Sequence, residues 1–208
     1  LLRVMLHWLA EANIDGWRLD VADELDNSTL RYLREGVKAR YPNALLLGET
    51  WGDASRMVYE GDQLDCAMNY LFRDAMVDFF AKERIGAEML ANRLGHMLMK
   101  YPDAVNLRMY NCLDSHDTAR FLTEANGETG RLKLAIAFQM LFPGSPALFY
   151  GDELGMAGEN DPGCRGGMAW NHPDAELLDW TREMIALRRQ SEAVRRGSYR
   201  TLPCGDGD

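Results

Sequence analysis

Three acidic residues each follow a short apolar run, and these are the side chains best placed to do chemistry. Asp20 and Glu49 close two such runs, and Asp117 stands shortly after a third. A continuous apolar run between helical segments indicates a strand of a parallel sheet that is buried on both faces. Active sites of α/β folds are built at the carboxyl ends of such strands. Several carboxylates in such a place suggest either sugar chemistry or a bound metal.

The elements that must position these acids alternate along the chain. Apolar positions at helical spacing over residues 1–13 predict an opening helix, and five strand–helix units follow it. This alternation predicts an α/β fold with parallel strands, either in an open doubly wound sheet or in part of an eight-stranded barrel. The predicted strands cover residues 16–20, 44–49, 64–69, 108–113 and 146–150. The predicted helices cover about 26–41, 72–80, 87–100, 130–141 and 174–189.

The composition is typical of a globular domain with one sizeable core. The 208 residues are 47% hydrophobic and 26% charged, and the net charge of −9 disfavours a nucleic-acid binder. No apolar stretch approaches the ~18 residues of a membrane span. No export signal opens the chain, so we predict a cytoplasmic protein without a membrane partner. The four cysteines form no C-x-x-C pair and are interpreted as reduced thiols.

Four motifs, in order, resemble those of the α-amylase family of glycoside hydrolases. Residues 16–24 (G-W-R-L-D-V-A-D-E) resemble the motif that carries the nucleophile, and residues 48–51 (G-E-T-W) resemble the acid/base motif. Residues 111–118 (N-C-L-D-S-H-D-T) resemble the motif of the third carboxylate. The N-D-P-x-C-R loop at residues 160–165 is similar to that of the neopullulanase, cyclomaltodextrinase and maltogenic amylase branch.

The resemblance implies that this chain forms part of a TIM-type (β/α)8 barrel, namely strands four to eight with their helices. Residues 1–200 are then expected to form the carboxyl-terminal portion of the catalytic barrel, and residues 201–208 the start of a following domain. The first conserved motif of the family, on the third strand, has no counterpart in this chain. Asp23 stands where this branch usually carries Asn.

The resemblance also implies roles for the three acids in a retaining glycosidase. Asp20 would be the nucleophile, Glu49 the acid/base, and Asp117 would help to distort the sugar ring. Arg18 lies two residues before Asp20 on the same strand face, where its guanidinium could hold that carboxylate ionised. The residues alone leave simpler explanations open, namely an ordinary Arg–Asp pair at a strand end and a glutamate that caps a helix.

A second group of residues is implied to contact the sugar around these acids. His116 would hydrogen-bond hydroxyls in the cleavage subsite, and Asp161 and Arg165 would contact sugars toward the non-reducing end. Glu24 would lie near the acceptor side, and Trp51 could stack on a sugar ring. With Arg18, these residues complete the predicted substrate-binding set.

Plain structural explanations stay open for most of this group. His116 and Asp117 could form a metal pair or begin a helix. Because adjacent strand residues point in different directions, we do not expect both to bind one metal, and we predict no metal site. Asp161 and Arg165 could form an internal ion pair that shapes the loop, and Glu24 could be a solvated residue at a helix start.

The sequence therefore predicts a hydrolase of α-1,4 glucosidic bonds in cyclodextrins, pullulan or malto-oligosaccharides. It leaves α-1,6 cleavage, transglycosylation and a homo-oligomer of the full-length protein open. The partner would be an α-glucan oligosaccharide, and the chemistry needs no cofactor. One alternative is a non-catalytic amylase-like protein for binding or assembly, which the presence of all three acids disfavours. Another is an α-1,6-glucosidase or trehalose-forming relative, which is not expected to carry the N-D-P-x-C-R loop.

Overall fold

A computed structural model describes residues 1–171 and 174–202 and contains five short strands in these ranges. They pair in parallel as β1–β2–β3 and β4–β5, and one parallel bridge between Met68 and Tyr110 joins the two small sheets. The strands therefore lie side by side in chain order, which confirms the predicted parallel α/β class. Their bounds are β1 Gly16–Leu19, β2 Leu45–Gly48, β3 Cys66–Ala67, β4 Tyr110–Cys112 and β5 Ser145–Ala147.

Helices fill the intervals between these strands. The bounds are α1 Leu2–Glu11, α2 Asn27–Lys38, α3 Ser55–Val58, α4 Tyr70–Met76, α5 Ala87–Lys100, α6 Asp103–Asn106, α7 Phe121–Glu124, α8 Thr129–Leu141, α9 Ala175–Gln190 and α10 Glu192–Arg196. A π-helical turn, Val77–Ala81, extends α4, and short 3₁₀ turns lie at Ala22–Glu24, Asp152–Leu154 and Gly163–Arg165. The predicted long helices are confirmed, whereas the one-turn helices α3, α6, α7 and α10 were not predicted, because a single turn shows no periodicity.

The start of α2 shows how local sequence sets these bounds. Asp26 is the N-cap, and its carboxylate accepts hydrogen bonds from the Thr29 amide at 2.9 Å and the Thr29 hydroxyl at 2.6 Å. These bonds, led by one from the Ser28 hydroxyl, hold the pKa of Asp26 well below its usual range. An acid in this position satisfies amides that have no partner inside the helix, and so defines where the helix begins.

Buried amides connect the two small sheets. Asn69, just beyond β3, donates from Nδ2 to Asn111 Oδ1 of β4 at 2.7 Å. Gln139 of α8 donates from Nε2 to the carbonyl oxygens of Asn111 at 2.8 Å and Ala147 at 2.9 Å. These side chains are buried, so their bonds are needed. The Asn69–Asn111 bond links the two sheets beside the Met68–Tyr110 bridge, and Gln139 holds β4 and β5 of the second sheet together.

The core forms two apolar clusters on the two sides of this connection. One contains the strands β1 to β3 with α1 and α2, around residues such as Leu30 and Leu46. The other lies between α4, α5, α8 and α9, around residues such as Phe72 and Ile136. Leu19 and Leu47, near the ends of β1 and β2, belong to the first cluster, so Asp20 and Glu49 follow strands that are anchored in the core.

Two further expectations concern cysteines and chain ends. Cys66, Cys112 and Cys164 are buried and outside any disulfide, as predicted, and burial raises the pKa of the Cys66 and Cys112 thiols to about 12. Cys204 lies outside the described residues, as does most of the predicted domain start at 201–208, apart from Thr201 and Leu202. No helix in the described ranges combines the length and apolar character that crossing a bilayer requires.

We expect the isolated 208-residue chain to self-associate. Within residues 1–171 and 174–202, the outer edges of β1 and β5 pair with no other strand. Val4 and Trp8 also form an exposed apolar stripe on α1, with 51% and 48% of their surface accessible. Unpaired edges and exposed apolar surface both favour association.

Light scattering coupled to size-exclusion chromatography at several concentrations checks this expectation. Trp8→Glu should lower the average mass, because it places a charge in the stripe. Met99→Glu on α5, where the methionine is 85% exposed, is the matched control and should leave the mass unchanged. A wild-type chain that stays monomeric at every concentration would contradict the expectation.

Candidate active site

The first two acids stand side by side at the carboxyl ends of β1 and β2. The parallel register pairs Leu19 with Gly48, so the next residues along each chain, Asp20 and Glu49, are neighbours. The ladder continues past the strand ends, because the Glu49 amide donates to Leu19 O at 2.9 Å. The main chain thereby holds the backbones of the two acidic residues side by side.

Arg18 joins these two carboxylates. Its Nη1 lies 2.5 Å from Asp20 Oδ1, and its Nη2 pairs with Glu49 Oε1. The two acids differ in burial, since the side chain of Asp20 is 74% exposed and that of Glu49 only 3%. The Arg18–Asp20 contact agrees with the strand-face argument, whereas the second contact with Glu49 was not predicted.

A strained turn directly after Asp20 supplies a further bond to the buried acid. Val21 has φ +43° and ψ +49°, a left-handed conformation that is rare for a β-branched residue. In this conformation its amide donates to Glu49 Oε2 at 3.0 Å. Such outliers cluster at functional sites. Sequence reasoning missed this backbone contact, because nothing in the identity of a valine signals it.

The third acid lies in a turn that follows β4. The Ser115 amide donates to Thr118 Oγ1 at 3.0 Å, which closes the turn, and His116 Nε2 lies 2.9 Å from Asp117 Oδ2. The suggestion that Asp117 begins a helix was wrong, because α7 begins only at Phe121. Since the segment is a turn and not a strand, the adjacent His116 and Asp117 side chains face each other, contrary to the alternation assumed from the sequence.

The loop that carries the N-D-P-x-C-R motif contacts this turn. Arg165 Nη2 lies 2.9 Å from Asp117 Oδ1, and Arg165 Nε lies 2.8 Å from Asp161 Oδ1. The same Nε also donates to the carbonyl oxygen of His116 at 2.9 Å. The internal ion pair considered as an alternative for Asp161 and Arg165 is therefore present. It shapes the loop and also ties it to Asp117.

The turn and the β2 end converge closely enough to raise the question of a metal. Glu49, His116 and Asp117 each offer one oxygen or nitrogen atom, and these atoms lie within 4.8 Å of one another. However, Arg18 already pairs with Glu49, and Arg165 with Asp117. Guanidinium groups thus supply the positive charge at both carboxylates. We treat the three side chains as hydrogen-bonding groups and assign no metal to them.

An aromatic pair borders the acids. The rings of Trp51 and Tyr70 stack with centroids 4.3 Å apart and an angle of 13° between the planes. Tyr70 is buried, and its hydroxyl lies 2.9 Å from Ser115 Oγ; burial raises its pKa to about 12. Trp51 is 49% exposed, so it presents aromatic surface to solvent while Tyr70 supports it. Glu24 is exposed in the 3₁₀ turn after Asp20, apart from these contacts.

A family model for the alpha amylase catalytic domain matches residues 1–196. This chain belongs to that family. A cyclomaltodextrinase of Thermoanaerobacter pseudethanolicus is 47% identical over 204 residues, covering 97% of this chain and 35% of that protein. Neopullulanase 2 of Thermoactinomyces vulgaris is 44% identical over 203 residues, covering 97% of this chain and 34% of its own length. This chain therefore spans about a third of these α-amylase-family relatives, and the predicted branch is confirmed by their names.

Solved structures of the α-amylase family agree. A cyclomaltodextrinase matches with a TM-score of 0.91 and 43% identity, covering 93% of this chain and 33% of that one. A cyclic α-maltosyl-(1→6)-maltose hydrolase from Arthrobacter globiformis, in complex with cyclic α-maltosyl-(1→6)-maltose, matches with a TM-score of 0.91 and 37% identity, covering 95% of this chain and 45% of that one.

Most of the residues singled out from the sequence lie together in this α-amylase-family chain. Contacts run without a break from Asp20 through Arg18 to Glu49, and from His116 and Asp117 through Arg165 to Asp161. The two groups approach each other where Glu49 meets Asp117.

Proposed function

We propose that this chain is the carboxyl-terminal part of the catalytic barrel of a retaining α-glucan hydrolase of the cyclomaltodextrinase and neopullulanase type. One observation carries the proposal: Arg18 joins an exposed and a buried carboxylate, Asp20 and Glu49, at neighbouring strand ends. Retaining glycosidases need two carboxyl groups that are close together but differ in environment, because one attacks while the other handles protons. Asp117 reaches the same place from β4.

The strand order supports a barrel wall over a doubly wound sheet. The five described strands follow one another without a reversal, whereas doubly wound sheets reverse their order at the ligand site. Acids at the carboxyl ends also agree with the site of barrel enzymes. We assign the strands to positions four to eight, residues 1–200 to this part of the barrel, and residues 201–208 to the start of a further domain.

The proposed reaction has two displacement steps. In the first, an Asp20 oxygen attacks the anomeric carbon and forms a glycosyl ester, while Glu49 gives its proton to the leaving oxygen. In the second, Glu49 takes a proton from water, and that water releases the sugar from Asp20. Because Glu49 must carry a proton at the start, its contact with Arg18 has to open when the sugar enters.

The surrounding residues would bind and distort the sugar. His116 and Asp117 face one another and would hydrogen-bond ring hydroxyls in the cleavage subsite, with Asp117 favouring a distorted ring. Trp51 presents its exposed ring to a sugar, and Glu24 would lie on the acceptor side. Asp161 and Arg165 would act further along the chain of glucose units, where Arg165 also restrains Asp117.

The proposed substrates are cyclodextrins, pullulan and malto-oligosaccharides, cut at α-1,4 bonds. The neighbour that hydrolyses a cyclic α-maltosyl-(1→6)-maltose favours α-1,6-containing rings as a second substrate class. Transglycosylation follows where a sugar hydroxyl replaces water in the second step. Side chains and water suffice for this chemistry, so no cofactor is proposed. The cytoplasmic location and a homo-oligomer stay predictions.

Hydrolysis by the full-length protein tests the proposed function. We expect cyclodextrin and maltotriose to be cleaved, with cellobiose, a β-linked glucan, as the control that is not cleaved. Proton NMR of the first products should show the α-anomer before mutarotation, because two displacements retain configuration. An initial β-anomer would contradict the assignment of Asp20 as nucleophile. If none of the α-glucans tested is cleaved, the proposed function is overturned.

A further inference from the structure

A second charged cluster lies beneath the turn that holds His116 and Asp117. It consists of Asp114, Arg120 and Asp152, which are 2%, 0% and 3% exposed. Arg120 Nη1 lies 3.3 Å from Asp152 Oδ1. None of the three takes part in the reaction proposed above. Burying two carboxyl groups and a guanidinium is costly unless they are paired and hydrogen-bonded, so the arrangement needs an explanation.

The cluster fastens the His116–Asp117 turn to the loop that carries Arg165. Asp114 Oδ2 accepts a bond from the Phe121 amide at 2.7 Å and so spans the turn. Arg120 donates from Nη1 to Tyr150 O at 2.8 Å and from Nε to Cys164 O at 3.1 Å. Its guanidinium carbon also lies 4.8 Å from the centre of the Tyr150 ring. The side chain of Arg120 therefore connects the turn to the segment just after β5, at Tyr150, and to the residue next to Arg165.

The charges of the cluster do not balance if both acids are ionised. Arg120 offers one positive charge against two carboxylates. Arg73 on α4 also faces the pair, but its terminal nitrogens pair with Asp74 and Glu124, the second of which also pairs with Lys82. The Cys112 thiol of β4 also faces the pair, and its raised pKa leaves it neutral. Since Arg120 pairs with Asp152, no cation in the described part of the chain lies at salt-bridge distance from Asp114, and an ionised Asp114 would be buried without a charge partner.

Two polar atoms of the cluster, Asp114 Oδ1 and Arg120 Nη2, are buried without a partner in the described part of the chain, and the oxygen is where a proton would be needed. The Asp114 and Asp152 carboxyl groups are neighbours, and each shifts the pKa of the other. A proton on Asp152 would supply the missing donor and also cancel the surplus charge. Consistently, burial first and the neighbouring Asp114 second raise the pKa of Asp152 well above its usual range.

We propose that Asp114 and Asp152 share one proton and act with Arg120 as positioning residues, which hold His116 and Asp117 against the loop that bears Arg165. The inference rests on the proposed function for what is positioned, but the shared proton is independent of it. Loss of this proton at alkaline pH leaves a buried negative charge. The contact between turn and loop then weakens, and Asp117 loses its fixed geometry.

The proposal fixes the sign of a pH effect on stability. A carboxyl group whose pKa is raised by folding contributes stability that is fully present below its unfolded pKa of about 3.9 and is lost as pH rises through the raised value. Asp152→Asn keeps a donor toward Asp114 but has no proton to lose. The Tm of Asp152→Asn should therefore rise relative to that of the wild type as pH rises.

Thermal melting of the full-length protein from about pH 4 to about pH 9 tests this effect. Asp179→Asn is the matched control, because Asp179 is 71% exposed on α9, and its profile should run parallel to the wild type. Infrared spectra should show a protonated carboxyl band at neutral pH that Asp152→Asn removes. A melting profile of Asp152→Asn parallel to the wild type, or an unchanged band, would overturn the proposal.

Two further measurements separate this inference from the proposed function. In an active protein, the ratio of kcat/KM of Asp152→Asn to that of the wild type should rise with pH, because only the wild type loses the shared proton and with it the fixed position of Asp117; a ratio that does not change with pH would refute the positioning role. If the protein hydrolyses no α-glucan, the melting and infrared results still decide whether the proton is shared. The single variant Asp114→Asn is the second measurement, because it also removes the pair that shares the proton: its Tm should likewise rise relative to that of the wild type as pH rises, and a parallel profile would count against the proposal.

Discussion

Replacement of Asp20 by Asn in the full-length protein is expected to lower kcat on cyclodextrin by about 10⁴-fold or more. The amide has nearly the same shape as the carboxylate but cannot attack the anomeric carbon and form the glycosyl ester. The Arg18–Glu49 pair remains in the variant, and the Asp20 side chain is 74% exposed, so the fold should not suffer. The loss should therefore appear in kcat while Tm stays close to that of the wild type.

Covalent trapping gives a direct readout for the same residue. A fluorinated glycosyl donor slows the second displacement, so the glycosyl ester should accumulate, and digestion should place the label on the peptide that contains Asp20. The variant Asp179→Asn is the control and should be labelled as the wild type is. A label on any peptide without Asp20, or an Asp20→Asn variant that keeps substantial turnover, would refute its assignment as the nucleophile.

The sequence was sufficient to predict which strand ends carry the acids. The helix predicted over residues 87–100 is α5 as observed, and the start of α2 follows from the cap at Asp26. Strand lengths were overestimated, because residues beside a strand can be apolar for packing alone. Leu64 and Met68, for example, are buried in the core but lie outside β3. An apolar run thus shows where a strand lies but not how many of its residues pair with the neighbouring strand.

Contacts between distant parts of the chain could not be predicted. The Arg165–Asp117 ion pair spans 48 positions, and no local pattern shows which acid an arginine in a loop will meet. The bond from the Val21 amide to Glu49 depends on a left-handed backbone that strand periodicity would not suggest. The opposed His116 and Asp117 side chains likewise depend on a turn. The residues of the site can be found from short stretches of sequence, whereas their geometry depends on contacts between distant parts of the folded chain.

Glu49→Gln should show whether Glu49 serves as the general acid or only maintains the structure of the site, because the two roles predict different effects on different substrates. In natural α-glucans the leaving group is a sugar hydroxyl, which departs poorly unless it receives a proton. We therefore expect their turnover to fall by about 10²–10⁴-fold, the usual contribution of general acid catalysis. An α-nitrophenyl glucoside releases nitrophenolate, a stable anion that needs no proton, so the first displacement on this substrate should be nearly unaffected.

The structure makes this comparison informative, because Gln can keep the bond from the Val21 amide and loses mainly the charge that pairs with Arg18. A merely structural defect would slow both substrates alike, since it would displace Asp20 as well. Measurements of kcat/KM, which reports the first displacement alone, on maltotriose and on the nitrophenyl glucoside, with Tm as the check on folding, therefore decide between an acid and a structural role. An equal loss on both substrates would show that Glu49 maintains the site and does not serve as its acid.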